Sequence, residues 1–545
     1  MKRVLLLITV LLLAVLIAAP AVAQDGKSIT VMYPQELDTL NPLYTGMFFM
    51  GITTDLYLSP FWSFNDQLQP NPVLVTEIPS AENGGVSEDG TVITINLRDD
   101  IFWSDGEPIT AADYLFAIEM KTNPANLVNS TYPFSEADGI ISSIEAPDDQ
   151  TVVVTFNAPF APWPTTLNYP LLPEHILRPV FDADGSLDNA DWNRAPTVGS
   201  GPYTFAEWEV GSFMRFTRNE SYWGTAPLID EVVITFVPDS EAYVATLLNG
   251  EAELGTFLDW SDIATVRDSG LFSVIIAPSG YNEQWNLNVN PETGHPALQD
   301  VRVRQALAQG FDRFSLTEDL FYGLTYPAAS PWENTPFASP NVTAPAYDAA
   351  AAAALLDEAG WVDSNGDGTR DQDGAELVLR FVTNMRGIRA DTFAIAQQQY
   401  ADLGIGLELT QYESDVFFGG YGDNAPVALG EYDIAQWSAT TAFPDPDTSV
   451  FLCSSIPTPD NPEGSNYRGY CNPELDALFA EANSTVDPAA RIVLYNQIDE
   501  LIAQEYLWIG IWHDPDNWEI ANTLQNVTIN ALYPFWNVTA WDVSE

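Results

Sequence analysis

Alternating apolar runs and longer amphipathic stretches follow one another along the chain, and together they predict a mixed α/β protein. Residues 91–97 alternate apolar and polar positions, which predicts a half-buried strand, and Asp89-Gly90 supplies a turn just before it. Residues 151–156 and 232–236 are rich in β-branched side chains and predict two further strands. Because strand and helix patterns are interspersed, we expect α/β structure in more than one domain.

The helices are predicted from apolar positions that recur every three to four residues, in the ranges 109–117, 302–311, 349–359, 392–403 and 488–506. Thr110 is the expected N-cap of the first helix, and Asp113 completes a capping box in which Asp replaces Glu. Asp487 is the expected N-cap of the last helix. Pro488 then occupies the first helical position, where its missing N–H costs nothing.

The N-terminus has the layout of a secretory signal peptide, which we predict for residues 1–23. Lys2 and Arg3 precede uncharged apolar residues 4–17, and residues 21–23 (AVA) offer a small-x-small cleavage site. The apolar run is too short for a transmembrane span, although an uncleaved N-terminal anchor is the alternative. The residue at the predicted cleavage point is Gln24 and not a cysteine, so we expect an exported protein, periplasmic or extracellular, without a lipid anchor.

The charge of the chain is strongly acidic, with 76 Asp and Glu against 19 Lys and Arg among 545 residues. Loss of Lys2 and Arg3 with the signal peptide takes the formal net charge from −57 to −59. Such a charge argues against nucleic acid and anionic membrane surfaces as partners. We interpret it as a solvated, solubilising surface; catalytic carboxylates are the alternative. The length allows two to four domains.

The chain has two cysteines and three histidines. Cys453 and Cys471 lie in a chain predicted to be exported, where a disulfide between them would contribute roughly 3 kcal/mol; two free buried thiols are the alternative. His175, His295 and His513 are far apart in sequence, which argues against a zinc site of His and Cys ligands.

Residues 363–374 (DSNGDGTRDQDG) have the spacing of a calcium loop. The matching positions are Asp363, Asn365, Asp367 and Asp371. The twelfth position is Gly374, where the complete motif needs a bidentate Glu, and Asp373 is one residue short. We therefore consider a structural Ca²⁺ ion and, as the alternative, a polar turn between a helix and a strand. No other cofactor is expected.

Ordered sequence blocks carry a family resemblance over nearly the whole chain after residue 23. In chain order they are residues 87–90 (SEDG), 97–113 (LRDDIFWSDGEPITAAD), 144–149 (IEAPDD), 151–156 (TVVVTF), 199–203 (GSGPY), 218–223 (RNESYW), 286–288 (NLN), 300–307 (DVRVRQAL), 355–361 (LLDEAGW) and 472–476 (NPELD). This set resembles the extracellular solute-binding proteins of family 5, which serve ABC importers of oligopeptides, dipeptides and nickel. Each block alone is weak, but the ordered set is specific.

The resemblance implies a periplasmic binding protein-like α/β fold of type II, with three lobes and a ligand cleft between two of them. Domain I is expected to comprise residues 24–59, 171–278 and 513–545. Domain II is expected to be an insertion over residues 60–170, and domain III to span residues 279–512. The two chain crossings, near 279–284 and 511–513, would form the hinge.

The resemblance also implies which side chains meet the ligand. From the segment after the first strand, the hinge strand and a third loop, these are Tyr44, Thr45, Met47, Tyr281, Trp285, Asn286, Trp437, Phe443 and Asp445. Weaker candidates are Trp103, Tyr132, Trp332 and Arg386. For each aromatic residue in the set, core packing is the alternative.

One departure from the family concerns the ligand. Peptide-binding members typically have an Asp a few residues after the tryptophan of the third loop, and the matching position here is Thr440 or Ala442. Without that carboxylate a buried peptide ammonium is costly, although Asp445 is a substitute. An oligopeptide is the first hypothesis, an oligosaccharide stacked on some of the 16 tryptophans the second, and a nickel chelate the third.

The expected partners are a small-molecule ligand and an ABC permease with its ATPase, and we expect a monomer that is not an enzyme. The rival class is a secreted glycosidase, but nothing places two carboxylates in one pocket. Gly-x-Ser-x-Gly, His-Glu-x-x-His and Walker motifs are absent from the sequence. A sensing or adhesion protein built on the same lobes is a third class that sequence does not separate from import.

Overall fold

The structure is a computed structural model that describes residues 26–45, 47–136, 139–421, 424–440, 446, 448–462, 464–530 and 533–544. Its strands are β1 Ser28–Tyr33, β2 Trp62–Phe64, β3 Pro70–Pro72, β4 Val92–Asn96, β5 Ile141–Asp148, β6 Thr151–Phe156, β7 Tyr203–Glu209, β8 Phe213–Arg218, β9 Glu231–Phe236, β10 Leu254–Thr256, β11 Phe272–Leu287, β12 Asp371–Gln372, β13 Ala375–Glu376, β14 Val378–Asn384, β15 Gly406–Tyr412, β16 Ile434–Thr440, β17 Trp508–Ala521, β18 Leu524–Gln525 and β19 Asp542–Val543.

The α-helices of the described residues are α1 Phe48–Tyr57, α2 Ala111–Thr122, α3 Trp163–Thr166, α4 Glu174–Asp184, α5 Ser240–Leu248, α6 Trp260–Asp268, α7 Val301–Gln309, α8 Arg313–Phe321, α9 Ala349–Ala359, α10 Gly387–Ala401, α11 Ser414–Phe417, α12 Pro473–Ser484 and α13 Pro488–Glu505. None of the helices in these ranges has the length and apolar character needed to cross a membrane. The predicted signal peptide, residues 1–23, lies outside the described residues.

One ten-stranded sheet runs through the molecule in the order β15-β14-β16-β11-β17-β10-β1-β9-β8-β7. At one end β1 pairs in parallel with β9 and β10, and at the other β14 pairs in parallel with β15 and β16. The long antiparallel strands β11 and β17 belong to both halves and join them. The mixed α/β architecture predicted from the sequence is therefore confirmed, with two lobes connected by a two-stranded ribbon.

The ribbon is irregular where it passes from one lobe to the other. The β11–β17 register shifts between Pro278 and Asn282, and again between Glu283 and Gln284. Such irregularities interrupt the ladder and let two strands bend. The predicted hinge segments 279–284 and 511–513 lie in this stretch.

Separate apolar cores support the two lobes. The core of the first lobe includes Tyr33 and Trp518 and continues into the small sheet β4-β6-β5 and α2, inside the range 60–170 assigned to an inserted domain. The second lobe has one core around Trp285 and another around Trp332. The first lobe and residues 60–170 thus share one continuous core, and the division into three domains stays a prediction.

Local signals in the sequence fix several elements closely. The capping box is present: the backbone N–H of Thr110 donates to Asp113 Oδ2 at 2.9 Å, and α2 begins at the next residue. Asp487 caps α13 by accepting a hydrogen bond from the Ala490 N–H at 2.7 Å. The helix predicted over 392–403 begins earlier, at Gly387, because its first turn buries a charged side chain, Arg389, that interrupts the apolar pattern.

Cys453 and Cys471 form a disulfide bond, so of the two redox alternatives the structure contains the bonded one. The bond closes the loop that precedes α12, where the Asn472 side chain caps the helix by accepting from the Glu474 N–H at 3.0 Å.

Candidate functional site

The carboxyl ends of the parallel strands in both lobes meet at the ribbon. In the first lobe β10 ends at Thr256, opposite Trp518 of β17; in the second lobe β16 ends at Thr440, opposite Tyr281 of β11. In open α/β sheets ligands bind outside the carboxyl ends of the strands. A ligand site is therefore expected along the ribbon between Tyr281 and Trp518.

The last part of β16 has an unpaired edge. Along its whole length β16 pairs with β11, but β14 pairs only with its first three residues, Ile434 to Gln436. Within the part of the chain that the structure describes, residues 437–440 have no strand on their other side. An exposed row of backbone donors and acceptors is a template for one more extended chain.

A buried ion pair fixes the start of this edge. Arg389 of α10 donates to both oxygens of Glu283, from Nε at 2.7 Å and from Nη2 at 2.8 Å. The Ser438 hydroxyl donates to Glu283 Oε2 at 2.6 Å, and Arg389 also hydrogen-bonds to Asn384 Oδ1. Glu283 lies opposite Ser438 in the β11–β16 ladder, so this cluster ties α10, β14 and β16 to the ribbon.

An acidic group lies beside this cluster on the ribbon. Burial and the neighbouring Glu283 raise the pKa of Asp514, while a hydrogen bond from Trp512 Nε1 at 2.8 Å and the charge of Arg386 oppose the rise. Burial, with Asp514 as neighbour, raises the pKa of Asp516 well above its ordinary value. Asp516 is 8% exposed, and its carboxylate has no hydrogen bond or ion pair to any described residue.

Tyr281 completes the acidic group. Its side chain is 42% exposed, and its pKa is raised by burial and then by the charges of Asp516 and Asp514. Tyr281 precedes Asn282, which pairs with His513 in the ribbon, so Tyr281 lies near Asp514. A phenol and two carboxylates at the bend of the ribbon form a site suited to a cation.

The first lobe contributes a mostly apolar wall. Thr45 is buried and accepts a hydrogen bond from the Met47 N–H at 3.1 Å, while Tyr44 and Met47 pack on the first core. Met47 immediately precedes α1, whose Phe48 lies 5.5 Å from the half-exposed ring of Phe257. The Phe257 N–H donates to the carbonyl of Asn517, the residue after Asp516, so this wall adjoins the ribbon.

Two predicted ligand residues line one small cavity in the second lobe. Trp437 of β16 and Trp332 border a volume of about 140 Å³ behind the unpaired edge. Trp332 is 2% exposed and packs edge-to-face with Tyr495 at 5.4 Å, so most of its ring serves the core. Trp437 is partly buried, with Phe417 and Tyr467 at its edges.

Other predicted ligand residues are in cores. Trp285 is fully buried, stacks on Phe311 at 4.6 Å and donates from Nε1 to Gln436 at 3.0 Å. Trp103 is fully buried in the first core. For both tryptophans the core-packing alternative describes the structure, because each side chain is fully buried in an apolar core.

The remaining candidates are spread out. Asn286 is fully buried with neither amide atom hydrogen-bonded to a described residue, and Arg386 is exposed at the N-cap of α10. Tyr132 is exposed, before a cis bond to Pro133. Phe443 and Asp445 lie outside the described residues.

The loop considered for calcium is closed by its own hydrogen bonds. Asp363 accepts from the N–H groups of Gly366 and Gly368, and Asp371 accepts from the Ser364 hydroxyl. Among the described ranges no group of three or more His, Cys, Asp or Glu side chains converges to hold a metal. The polar-turn alternative accounts for these contacts, and the calcium site stays a prediction.

Sequence reasoning missed Glu283, Arg389, Asp514 and Asp516 as parts of the site. The signal for the last two was present: acidic residues 514 and 516 follow the apolar stretch 507–512 at strand spacing. Nothing in the sequence pairs Glu283 with Arg389, which is 106 positions away.

The family model described as "Bacterial extracellular solute-binding proteins, family 5 Middle" matches residues 70–456. The chain is 30% identical over 458 residues to the oligopeptide-binding protein OppA of Mycobacterium bovis, covering 81% of this chain and 72% of that protein. It is 26% identical over 484 residues to the oligopeptide-binding protein AppA of Bacillus subtilis, covering 86% of this chain and 84% of AppA.

Two solved structures, one with a peptide and one with a nickel complex, share the fold. AppA of Bacillus subtilis in complex with a nonapeptide superposes with a TM-score of 0.70 at 22% identity, covering 95% of this chain and 99% of AppA. NikZ of Campylobacter jejuni in complex with Ni(L-His) gives a TM-score of 0.72 at 23% identity, covering 94% and 99%.

Proposed function

The chain belongs to the bacterial extracellular solute-binding proteins of family 5, and from that premise we propose that it captures an oligopeptide and delivers it to an ABC permease for import. In this proposal it is an exported binding protein without a lipid anchor and not an enzyme. The relatives AppA and OppA, which are named as oligopeptide-binding proteins, support a peptide before a saccharide or a nickel chelate.

The unpaired edge of β16 is the observation that carries the proposal. An extended peptide beside residues 437–440 would continue the sheet with main-chain hydrogen bonds, which do not depend on its sequence. Side chains of such a strand point alternately to the two sides of the sheet, and so reach different pockets. A saccharide or a metal chelate has no repeating N–H and C=O groups to match this edge.

The acidic group on the ribbon supplies what the third loop lacks. We assign Asp516 and Asp514, with Tyr281, to the ammonium group of the peptide, in place of the carboxylate absent at Thr440 or Ala442. Asp516 has no partner among the described residues, so an ammonium group there would compensate a buried carboxylate.

Delivery would depend on the ribbon as a hinge. Among the described strands of the large sheet, β11 and β17 are the two that both lobes share, and their register shifts lie where the ribbon passes from one lobe to the other. A ligand that touches both lobes stabilises the closed arrangement by its difference in affinity for the closed and open states. The permease and ATPase would recognise that closed arrangement.

Titration calorimetry on ligand-stripped full chain tests the proposal. We expect unmodified peptides to bind, and the same peptides with N-methylated backbone amides at alternate positions to bind at least about tenfold more weakly, since they lose strand hydrogen bonds. The unmodified and the N-methylated peptide of each pair have the same sequence of side chains. Binding of malto-oligosaccharides or of nickel–histidine in preference to every peptide, or indifference to N-methylation, would refute it.

A further inference from the structure

The cavity behind the β16 edge combines aromatic walls with an unusual charge. Its volume is about 140 Å³, room for four or five water molecules at about 30 Å³ each. The floor is formed by Asn282 and Gln284 of β11, and Ala439 of β16 borders it beside Trp437. The other aromatic side chains that line it are Trp332, Phe451, Tyr467 and Trp508.

The charge belongs to Arg468, which also lines the cavity and is only 3% exposed. Its Nη1 donates to the Val450 carbonyl at 3.1 Å, and its guanidinium lies 4.6 Å from the centre of the Phe451 ring. Nε is buried without an acceptor, and Nη2 has no hydrogen bond to a described residue. No carboxylate of the described residues forms an ion pair with it.

Three other buried arginines have more hydrogen-bond acceptors than Arg468. Arg389 has Glu283, and Arg304 has Glu505 at 2.7 Å. Arg313 has no carboxylate partner among the described residues and its Nε is also unpaired, but both of its terminal nitrogens donate to carbonyls, those of Gly510 and Pro345. Among the described residues Arg468 has one hydrogen-bond acceptor, the carbonyl of Val450. Burial lowers the pKa of Arg468 to about 10, so it stays charged at neutral pH.

The side chains of the polar floor are partly satisfied within the protein. Gln284 Oε1 accepts from the indole N–H of Trp508, and Asn282 donates to the Pro331 carbonyl at 3.2 Å, while Asn282 Oδ1 is buried without a donor among the described residues. The flat rings around them accommodate an aliphatic stem, which a carboxylate-bearing side chain or chain end has.

We propose that this cavity is a carboxylate subsite of the ligand cleft, in which Arg468 pairs with an acidic group of the captured peptide. The subsite rests on the proposed function, because a peptide along residues 437–440 would place alternate side chains on the face of Trp437 and Ala439. A guanidinium pairs with a carboxylate through two parallel hydrogen bonds, and here Nε and Nη2 are the unoccupied donors. The carboxylate is either a Glu or Asp side chain or the C-terminus of the peptide.

The subsite also explains how an acidic protein selects an acidic ligand. With a formal charge of −57, the surface repels anions at long range, but water and salt screen that repulsion over about 10 Å. A desolvated guanidinium acts at contact distance and is not screened. We therefore expect the protein to prefer a negative charge at one position of the peptide only.

Calorimetry with matched peptides tests the inference on the full chain. Each peptide carries Glu or the isosteric Gln at one position in turn, with a free or an amidated C-terminus. In the wild-type protein we expect Glu to be preferred by at least tenfold at one position, or amidation to weaken binding by that factor. The first result identifies a side chain as the source of the carboxylate, and the second the chain end.

Arg468→Gln should abolish that preference while binding of the Gln peptide persists, and Arg267→Gln, at an exposed pair with Asp268, should leave it intact. Should Arg468→Gln not fold, Ala439→Leu narrows the cavity without touching the arginine and should reduce the same preference. Wild-type binding without any charge preference, or a preference that survives both substitutions, overturns the subsite. Failure of every peptide to bind overturns the proposed function instead.

Discussion

Arg389 and Glu283 form a two-point ion pair, with N–O distances of 2.7 and 2.8 Å, between the second-lobe helix α10 and the ribbon strand β11. Both side chains are at most 2% exposed. Within the described residues this pair fixes the second lobe to one side of the bend, so that β16 ends beside the acidic group. The geometry of the ligand edge therefore depends on a charged contact in the core.

Breaking this pair should be strongly destabilising, because it leaves one buried charge without compensation. For Arg389→Met we expect the free energy of unfolding to fall by about 3–5 kcal/mol. Urea unfolding followed by tryptophan fluorescence measures the change. The control is Arg267→Met, which removes an exposed pair with Asp268 and should cost under about 1 kcal/mol. Equal effects of both substitutions would contradict the buried-pair argument.

The Cys453–Cys471 disulfide should stabilise the second lobe by constraining the unfolded chain. Replacing both cysteines by serine is expected to lower the free energy of unfolding by about 3 kcal/mol, as for a loop of this size. A reducing agent should lower the melting temperature of the wild-type protein to about that of the double variant, and should leave the melting temperature of the double variant unchanged. A wild-type protein that is insensitive to reduction would contradict this prediction.

Glu519 should make the protein less stable as pH rises. Burial raises its pKa to about 8. Between the ordinary glutamate pKa of 4.5 and about 8, the folded protein holds a proton that the unfolded chain has lost. Stability then falls by about 1.4 kcal/mol per pH unit in this window.

Glu519→Gln does not titrate, so its free energy of unfolding should lack that decline and exceed the wild-type value increasingly towards pH 8. Denaturant unfolding at several pH values measures the difference. Burial also raises the pKa of Asp55 to about 7 and that of Asp499 to about 6, so only the variant-minus-wild-type curve isolates Glu519. The exposed Glu251→Gln is the control, and parallel curves for wild type and Glu519→Gln would refute the assignment.

The ammonium site on the ribbon makes a prediction about ligand chemistry. Acetylating the peptide N-terminus should weaken binding to the wild-type protein at least about tenfold, since Asp516 loses its counter-charge. In Asp516→Asn the acetylated and free peptides should bind alike, whereas the exposed Asp268→Asn should behave as wild type.

The affinity for a peptide with a free N-terminus should rise with pH. Because burial raises the pKa of Asp516, its deprotonated form becomes populated as pH rises, and affinity for the free ammonium should rise with it. Calorimetry in buffers of different ionisation enthalpy would show proton release on binding. An affinity that falls with rising pH, or that ignores acetylation, contradicts the assignment of the ammonium to this site.

Features set by neighbouring residues were predictable from the sequence. The Thr110–Asp113 capping box, the Asp487 cap and the strand over residues 151–156 all depend on side chains a few positions apart, and the structure has each of them. The overall architecture was also predictable, because the sequence blocks of the family occur in order along the chain.

The side chains of the site were harder to predict, because strand periodicity does not reveal which side of a strand faces the ligand. Trp285 and Trp437 lie on neighbouring strands at almost opposite positions, yet Trp285 stacks on Phe311 in a core and Trp437 borders the cavity. Arg389 and Arg468 are polar in sequence and buried in the fold, and only three-dimensional packing shows that one has a carboxylate partner while the other has none among the described residues.

Mass spectrometry of the molecules that co-purify with the folded, exported protein is the most direct test that the cleft takes an extended peptide. We expect a mixture of short peptides, with free N-termini and an acidic group in common, released on unfolding and absent from protein refolded without ligand. Hexose oligomers or a nickel chelate as the released species would contradict it.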